Sequence, residues 1–261
     1  MPTRFAAHRG GAALWPENSL LAFRNALAMG APLLELDVHL TSDGNAAVIH
    51  DSTLDRTTNG SGPVAARTAE ELRRVRIKAR DGALVDEGVP MLADVLALAA
   101  PTPAAVLVEV KTPGPAVTIG PDGLAPGPRY PGLERRVIDE LTRARMAERA
   151  MVMAFNPGVL AEVRAIAPAQ RTVLLVDRHA GQAQIPPDAI VLWGTEIGAS
   201  FLGVHHSLCN AALVSGARRA GLGIGVFTVN DESTMRKLLD LGVDVIISDR
   251  PDLVAKAQQE R

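Results

Sequence analysis

Residues 33–51 read Leu-Leu-Glu-Leu-Asp-Val-His-Leu-Thr-Ser-Asp-Gly-Asn-Ala-Ala-Val-Ile-His-Asp. The pattern predicts a strand over Leu33–Leu40, a turn at Asp43-Gly44 and a second short strand ending in His50-Asp51. Successive side chains on a strand point to opposite sides, so Glu35 and Asp37 share one face while Leu34, Leu36, Val38 and Leu40 take the other. Two carboxylates side by side on an apolar strand are costly unless a cation or a proton stabilises them. His50 adds a group that titrates near neutral pH. The stretch reads as half of a metal-dependent active site, and the rest of the chain is expected to supply the other half.

Outward from this stretch, the apolar runs are short and rich in Val, Leu and Ile. Phe5–Ala7 is a first strand that stops at His8-Arg9-Gly10-Gly11. Pro16-Glu17-Asn18-Ser19 opens a helix, with Asn18 or Ser19 as N-cap and Leu20, Leu21, Phe23, Ala26 and Leu27 as its apolar face. Further strands are expected at Ala104–Val110, Met151–Phe155, Thr172–Val176, Ala189–Trp193, Phe201–Val204, Ile224–Val229 and Val243–Ser248, with amphipathic helices between them. Continuous apolar strands alternating with such helices indicate βα units and a covered parallel sheet. About eight of them in 261 residues fit a (β/α)8 TIM barrel, read as one domain over 1–261. Residues 51–90 break the pattern with dense turn residues and read as a small insertion after the second strand. Thr112–Pro131 is so rich in proline and glycine that a long loop is expected.

Composition narrows the function classes. The chain is 47% hydrophobic with a formal net charge of -2, which gives no broad attraction for nucleic acid or an anionic membrane. No apolar run reaches the ~18–20 residues of a membrane-spanning helix, so no stable membrane insertion is expected. The amino terminus lacks a signal-peptide apolar region. Cys209 is the one cysteine, which excludes an intramolecular disulfide and fits a reducing compartment. The expectation is a cytoplasmic protein.

In a barrel the active site lies at the carboxyl ends of the strands, and the polar residues fall there. His8 follows the first strand, Glu35 and Asp37 lie late on the second, and His50 closes the returning strand. Glu109 and Lys111 end the Ala104–Val110 strand, and Asn230 and Asp249 follow two later ones. Glu35, Asp37 and Glu109 are three oxygen ligands suited to one divalent hard cation, Mg²⁺ or Ca²⁺. His8 and His50 are the candidate acid and base. Arg9 and Lys111 are the candidate anion binders, the first as a fork and the second as a point charge. His39, on the face of Glu35 and Asp37, is assigned to packing or to support of the site residues. His179, His205 and His206 are assigned to loops, with His205-His206 following a strand within reach of the pocket rim.

At these residues the sequence resembles the glycerophosphodiester phosphodiesterase family. The resemblance rests on His8-Arg9-Gly10, Pro16-Glu17-Asn18-Ser19, Glu35-Leu36-Asp37-Val38, Thr41-Ser42-Asp43-Gly44 and His50-Asp51. It continues through Leu54 to Gly60, Val89-Pro90-Met91-Leu92, Glu109-Val110-Lys111, Phe227-Thr228-Val229-Asn230 and Gly242 to Pro251. It implies a TIM-barrel hydrolase that splits glycerophosphodiesters into glycerol 3-phosphate and an alcohol. It implies metal binding at Glu35, Asp37 and Glu109, acid and base at His8 and His50, and phosphate contacts from Arg9 and Lys111. Glu17, Asn18 and Phe227 are assigned to substrate binding. Many relatives carry tryptophan where this chain has Phe227, and threonine where it has Ser19. Two rivals remain in view: a related lipid phosphodiesterase acting on lysophospholipids or sphingolipids, which needs an apolar groove that 3% aromatic content gives little sign of, and a non-catalytic phosphate- or sugar-phosphate-binding protein on the same barrel.

Overall fold

A computed structural model of the chain describes residues 2–120 and 123–260. Among them eight parallel strands close into a barrel. The strands are β1 (Arg4–Ala7), β2 (Leu33–Leu40), β4 (Ala105–Val110), β7 (Ala150–Ala154), β8 (Thr172–Val176), β9 (Phe201–His205), β10 (Gly223–Phe227) and β11 (Val245–Ser248). Each pairs with its neighbour in chain order, and β1 closes the ring by pairing with both β11 and β2. The short β3 (Ala46–Val48) returns antiparallel along β2, pairing Val38 with Val48.

The alternation of β2 sorts its side chains as its sequence requires. Leu34, Leu36 and Val38 join the layer between barrel and helices, whereas Leu33 packs inside the barrel with Ala6, Leu107, Met151, Met153, Val173, Leu175, Val245 and Ile247. Each buried Leu, Val, Ile or Met of this interior contributes about 2 kcal/mol by leaving water. This apolar plug fills the lower barrel, so the next inward positions on β2, Glu35 and Asp37, stand above it and are themselves buried.

The helical ring comprises α1 (Leu20–Ala28), α3 (Leu92–Ala99), α4 (Leu133–Arg143), α5 (Pro157–Ile166), α7 (Pro187–Ile197), α8 (Ala211–Arg219), α9 (Glu232–Leu241) and α10 (Pro251–Gln259). Ser19 caps α1 by accepting a hydrogen bond from the Ala22 amide at 3.0 Å. Residues between β3 and α3 form the insertion, with the small α2 (Ala69–Arg74) and a core of their own that includes Leu54, Val64, Leu72 and Val89. No helix among the described residues is long and apolar enough to cross a membrane.

Two expectations are corrected. Ala189–Trp193 is not a strand but the middle of α7. Pro187 sits in its first turn, where a missing N–H is harmless, and Ile190, Trp193 and Gly194 are buried while Leu192 is exposed, a helical spacing. A short apolar run does not by itself distinguish strand from helix. Thr112–Pro131 is not all loop: β5 (Val117–Gly120) and β6 (Gly123–Pro126) pair antiparallel, Val117 opposite Pro126. The β-branched run Val117-Thr118-Ile119 favours extension, and a two-stranded ribbon has only edges, where proline is tolerated. A four-residue helix, α6 (His179–Gln182), also fills the connection after β8.

Candidate active site

The barrel register assembles the acids. Asp37 on β2 is paired with Glu109 on β4, and Glu35 lies two residues earlier on the same face. One carboxylate oxygen from each of the three lies within 4.8 Å of the others, and all three residues are buried. Burial and the neighbouring Asp37 push the Glu35 carboxyl up to about 7. Such a set is short of positive charge at Glu35, and its hard oxygen donors suit a divalent cation.

Asp37 itself is held differently. Its burial opposes ionisation, but Lys111 and Arg9 outweigh that and hold it well below the usual carboxylate range. Lys111 Nζ lies 2.8 Å from Asp37 Oδ1 and also contacts Glu109 Oε1, while Arg9 Nε lies 3.2 Å from Asp37 Oδ2. Asn18 Nδ2 donates to the same Oδ2 at 2.9 Å.

The turn after β1 makes this possible. Arg9 adopts a left-handed conformation (φ 51°), and its amide donates to Glu35 Oε2 at 3.0 Å. Gly10 (φ 83°) follows in a place with no room for a side chain: a Cβ there would stand 2.7 Å from the Ala22 Cβ. The glycine lets the turn lie directly on α1.

Both histidines are anchored by a carboxylate. His8 Nδ1 is 2.6 Å from Asp249 Oδ1, and His50 Nδ1 is 2.7 Å from Asp51 Oδ1. An ionised carboxylate only accepts, so each Nδ1 carries a proton and each Nε2 is left for chemistry. His8 Nε2 lies 3.8 Å from Glu35 Oε2. Burial opposes charging His8, yet Glu35 and Asp249 outweigh it and raise its pKa; burial, helped by Lys111 and Arg9, lowers that of His50. Asn230 orients Asp249 by donating to its Oδ2 at 2.7 Å. His39, expected to pack or to support the site, is buried and held down to about 4 by that burial. Its Nε2 donates to the His50 carbonyl at 3.0 Å, fixing the backbone at His50.

Arg56 of the insertion ties the set together. It forks onto Glu17 (2.8 and 2.9 Å) and onto Asp51 (2.6 and 3.0 Å). Glu17 also accepts from Arg9 Nη1 at 3.0 Å. Sequence reading missed Arg56 and the pairing of His8 with Asp249. It noted Asp249 only as a polar strand end, although closure of a barrel brings the last strand beside the first.

A cavity of about 510 Å³ opens above the acids, lined by His50, Glu109, Lys111 and Phe155 among others. A smaller one of about 30 Å³ is lined by His8, Glu35, Glu109, Phe155 and Phe227. All five expected acid, base and ligand positions thus meet at one end of the barrel. Of the expected substrate-binding residues, Lys111 and Phe227 line these cavities, whereas Arg9, Glu17 and Asn18 are joined to them through ion pairs and hydrogen bonds.

Comparison with known proteins places this fold. The sequence model of the glycerophosphoryl diester phosphodiesterase family matches residues 8–253. A glycerophosphodiester phosphodiesterase of Caldanaerobacter subterraneus is 32% identical over 255 residues, 97% of this chain and 96% of that one. One from Bacillus altitudinis is 33% identical over 99% of both chains. The crystal structure of a glycerophosphodiester phosphodiesterase from Agrobacterium tumefaciens aligns with a TM-score of 0.77 at 28% identity, over 97% of this chain and 99% of that one. An Oleispira antarctica phosphodiesterase, solved with sn-glycerol-3-phosphate, shares the fold with a TM-score of 0.80 at 24% identity, over 99% and 97%. The molecule is a TIM-barrel enzyme. The chain belongs to the glycerophosphoryl diester phosphodiesterase family, a family of phosphoric diester hydrolases.

Proposed function

We propose that this protein hydrolyses glycerophosphodiesters to glycerol 3-phosphate and an alcohol, with His8 and His50 as the acid–base pair and a divalent cation held by Glu35, Asp37 and Glu109. The observation that carries the reading is the pair of histidines, each fixed through Nδ1 by its own aspartate, at the strand ends that also gather the three acids. The Oleispira complex contains the expected product and supports the substrate class. Residues 1–261 are taken as one catalytic domain carrying the insertion 51–90, and the single cysteine favours a reducing, cytoplasmic setting.

When bound, the cation, Mg²⁺ or Ca²⁺, supplies Lewis-acid polarisation of a phosphoryl oxygen. The chain's own residues do the rest. One histidine Nε2 takes the proton of the nucleophile, and the other returns a proton to the leaving alkoxide. The nucleophile is either water, giving glycerol 3-phosphate directly, or the neighbouring glycerol hydroxyl. The hydroxyl gives a cyclic phosphate that water then opens to glycerol 3-phosphate, with the two histidines exchanging roles. Lys111 and Arg9 offset the charge that grows on the phosphoryl oxygens. Glu17 and Asn18 hold Arg9 and Asp37 in register, and Phe227 walls the phosphate from water.

The test is glycerophosphocholine turnover with and without chelator. Removal of divalent ions should lower kcat about 10²-fold or more, and added Mg²⁺ or Ca²⁺ should restore it. Full activity of demonstrably metal-free protein would exclude the proposed metal role. A second expected outcome concerns Arg56. Arg56→Lys keeps the charge but cannot fork onto Glu17 and Asp51 together, so the anchor of His50 loosens. Turnover should fall roughly 10-fold, the low end for loss of a supporting contact, with little change in the unfolding midpoint. Unaltered kcat in Arg56→Lys would mean that Asp51 needs no such support.

A further inference from the structure

A third cavity, of about 610 Å³, adjoins the site. Val117, Ile119 and Leu124 of the β5–β6 hairpin line one side, and Leu175 and Val176 of β8 line another. It falls within the ~300–1,000 Å³ typical of small-molecule sites. Its continuity with the reaction centre is specific. Phe155 lines this cavity and both cavities of the active site, and Ala116 is shared with the one containing His50 and Lys111. The charged groups at its margin are paired with each other: Asp177 Oδ2 is 2.8 Å from His179 Nδ1, and Asp177 Oδ1 accepts from the Arg178 amide at 2.6 Å. Little there calls for a charged ligand, and the aliphatic walls favour an apolar one.

We infer that this pocket binds an aliphatic chain attached to the phosphodiester, so that the enzyme prefers tailed, single-chain substrates over glycerophosphocholine. The inference rests on the proposed function only for where the phosphate lies. Low aromatic content is a poor guide to an apolar groove here, because apart from Phe155 the apolar lining is aliphatic. A chain attached to a phosphate at His50 and Lys111 would run past Phe155 and under the hairpin. Apolar burial is worth about 0.8 kcal/mol per methylene, or roughly 4-fold in affinity.

The experiment has two arms. Butyl, hexyl, octyl and decyl phosphate are titrated against the full-length protein with Mg²⁺, below their micelle concentrations. The dissociation constant should fall about 4-fold per methylene until the pocket is full. Ile119→Glu, and separately Ala183→Trp at an exposed lining position, should flatten the series. In the second arm kcat/KM is compared for glycerophosphocholine, diesters with the chain on the glycerol, and diesters with the chain on the alcohol. Whichever tailed series gains identifies the side that carries the chain, and its ratio to glycerophosphocholine should fall towards unity in both variants. A flat wild-type binding series, or one equally steep in both variants, overturns the inference. Turnover of glycerophosphocholine alongside a flat series overturns it while leaving the hydrolase reading intact. A steep series that the variants flatten, with no turnover of any diester, supports the pocket and removes the hydrolase reading.

Discussion

His50→Ala and His8→Ala are each expected to lower kcat for glycerophosphocholine by about 10²- to 10⁴-fold, the usual worth of a positioned acid or base, without unfolding the protein. The ring of His50 is one-third exposed and is held through Nδ1 by Asp51. The backbone at His50 is held separately, by the hydrogen bond from His39. Asp51 keeps Arg56 when the ring is gone. His8 is less exposed, but Asp249 retains its bond from Asn230. Neither deletion strands an unpartnered buried carboxylate, the event that makes such changes severely destabilising. Kinetics at saturating substrate, with circular dichroism on the same samples, checks both halves. A folded His50→Ala protein with wild-type kcat would remove it from the mechanism. Recovery of part of the rate by added imidazole would show that the missing group is a proton carrier and not a packing element.

How much of this was legible follows from the range over which each signal acts. Glu35 and Asp37 were readable as a same-face pair because strand periodicity is local. That Glu109 joins them depends on the β2–β4 register. The sequence displays that register only indirectly, as two acid-bearing strands of similar length. His8 and Asp249 are 241 residues apart, and their contact exists because β11 pairs with β1. A closed barrel implies it, since closure sets the last strand beside the first. Arg56 lies in an irregular insertion, where no period identifies which charge turns inward. The two secondary-structure errors have a shared cause. The run Ala189–Trp193 and the run Val117–Ile119, set between prolines, are short enough that the surroundings decide. A preceding proline made the first a helix, and a partner strand made the second half of a ribbon. That ribbon is also what turns the end of the barrel into a pocket, so the element least visible in the sequence bears on substrate choice.

Replacing Asp37 tests what holds the site together, since two effects of opposite sign meet there. The carboxylate is fully buried and touches Lys111, Arg9 and Asn18. Removing one partner of a buried ion pair costs about 3–5 kcal/mol, because the other charge is left uncompensated. Against this, Asp37 raises the pKa of Glu35, so its loss relieves a repulsion between acids. Lys111 also keeps Glu109, and Arg9 keeps Glu17. The pairing term should still win, since two cations and an amide approach the group directly, and Asp37→Asn is expected to destabilise the chelated protein by about 3 kcal/mol, the low end of that range. Asn also keeps only one acceptor oxygen, and its NH2 meets the donors on the other side, Lys111 or Arg9 and Asn18. Because the Asp37 pKa is depressed, its contribution is present above the unfolded value and is lost only as pH falls through the folded one. The pairing contribution of Asp37 therefore holds steady from about pH 8 to about pH 5, but Glu35 takes up its proton at about 7, within that window. The deficit of the variant should accordingly grow as pH falls, because the relieved repulsion counts only while Glu35 is ionised. Urea unfolding in chelator across that window measures it. A variant as stable as wild type, or more so, would mean that repulsion among the acids outweighs their cation pairs. The strand that defines the fold would then carry a site under strain that only a bound cation relieves.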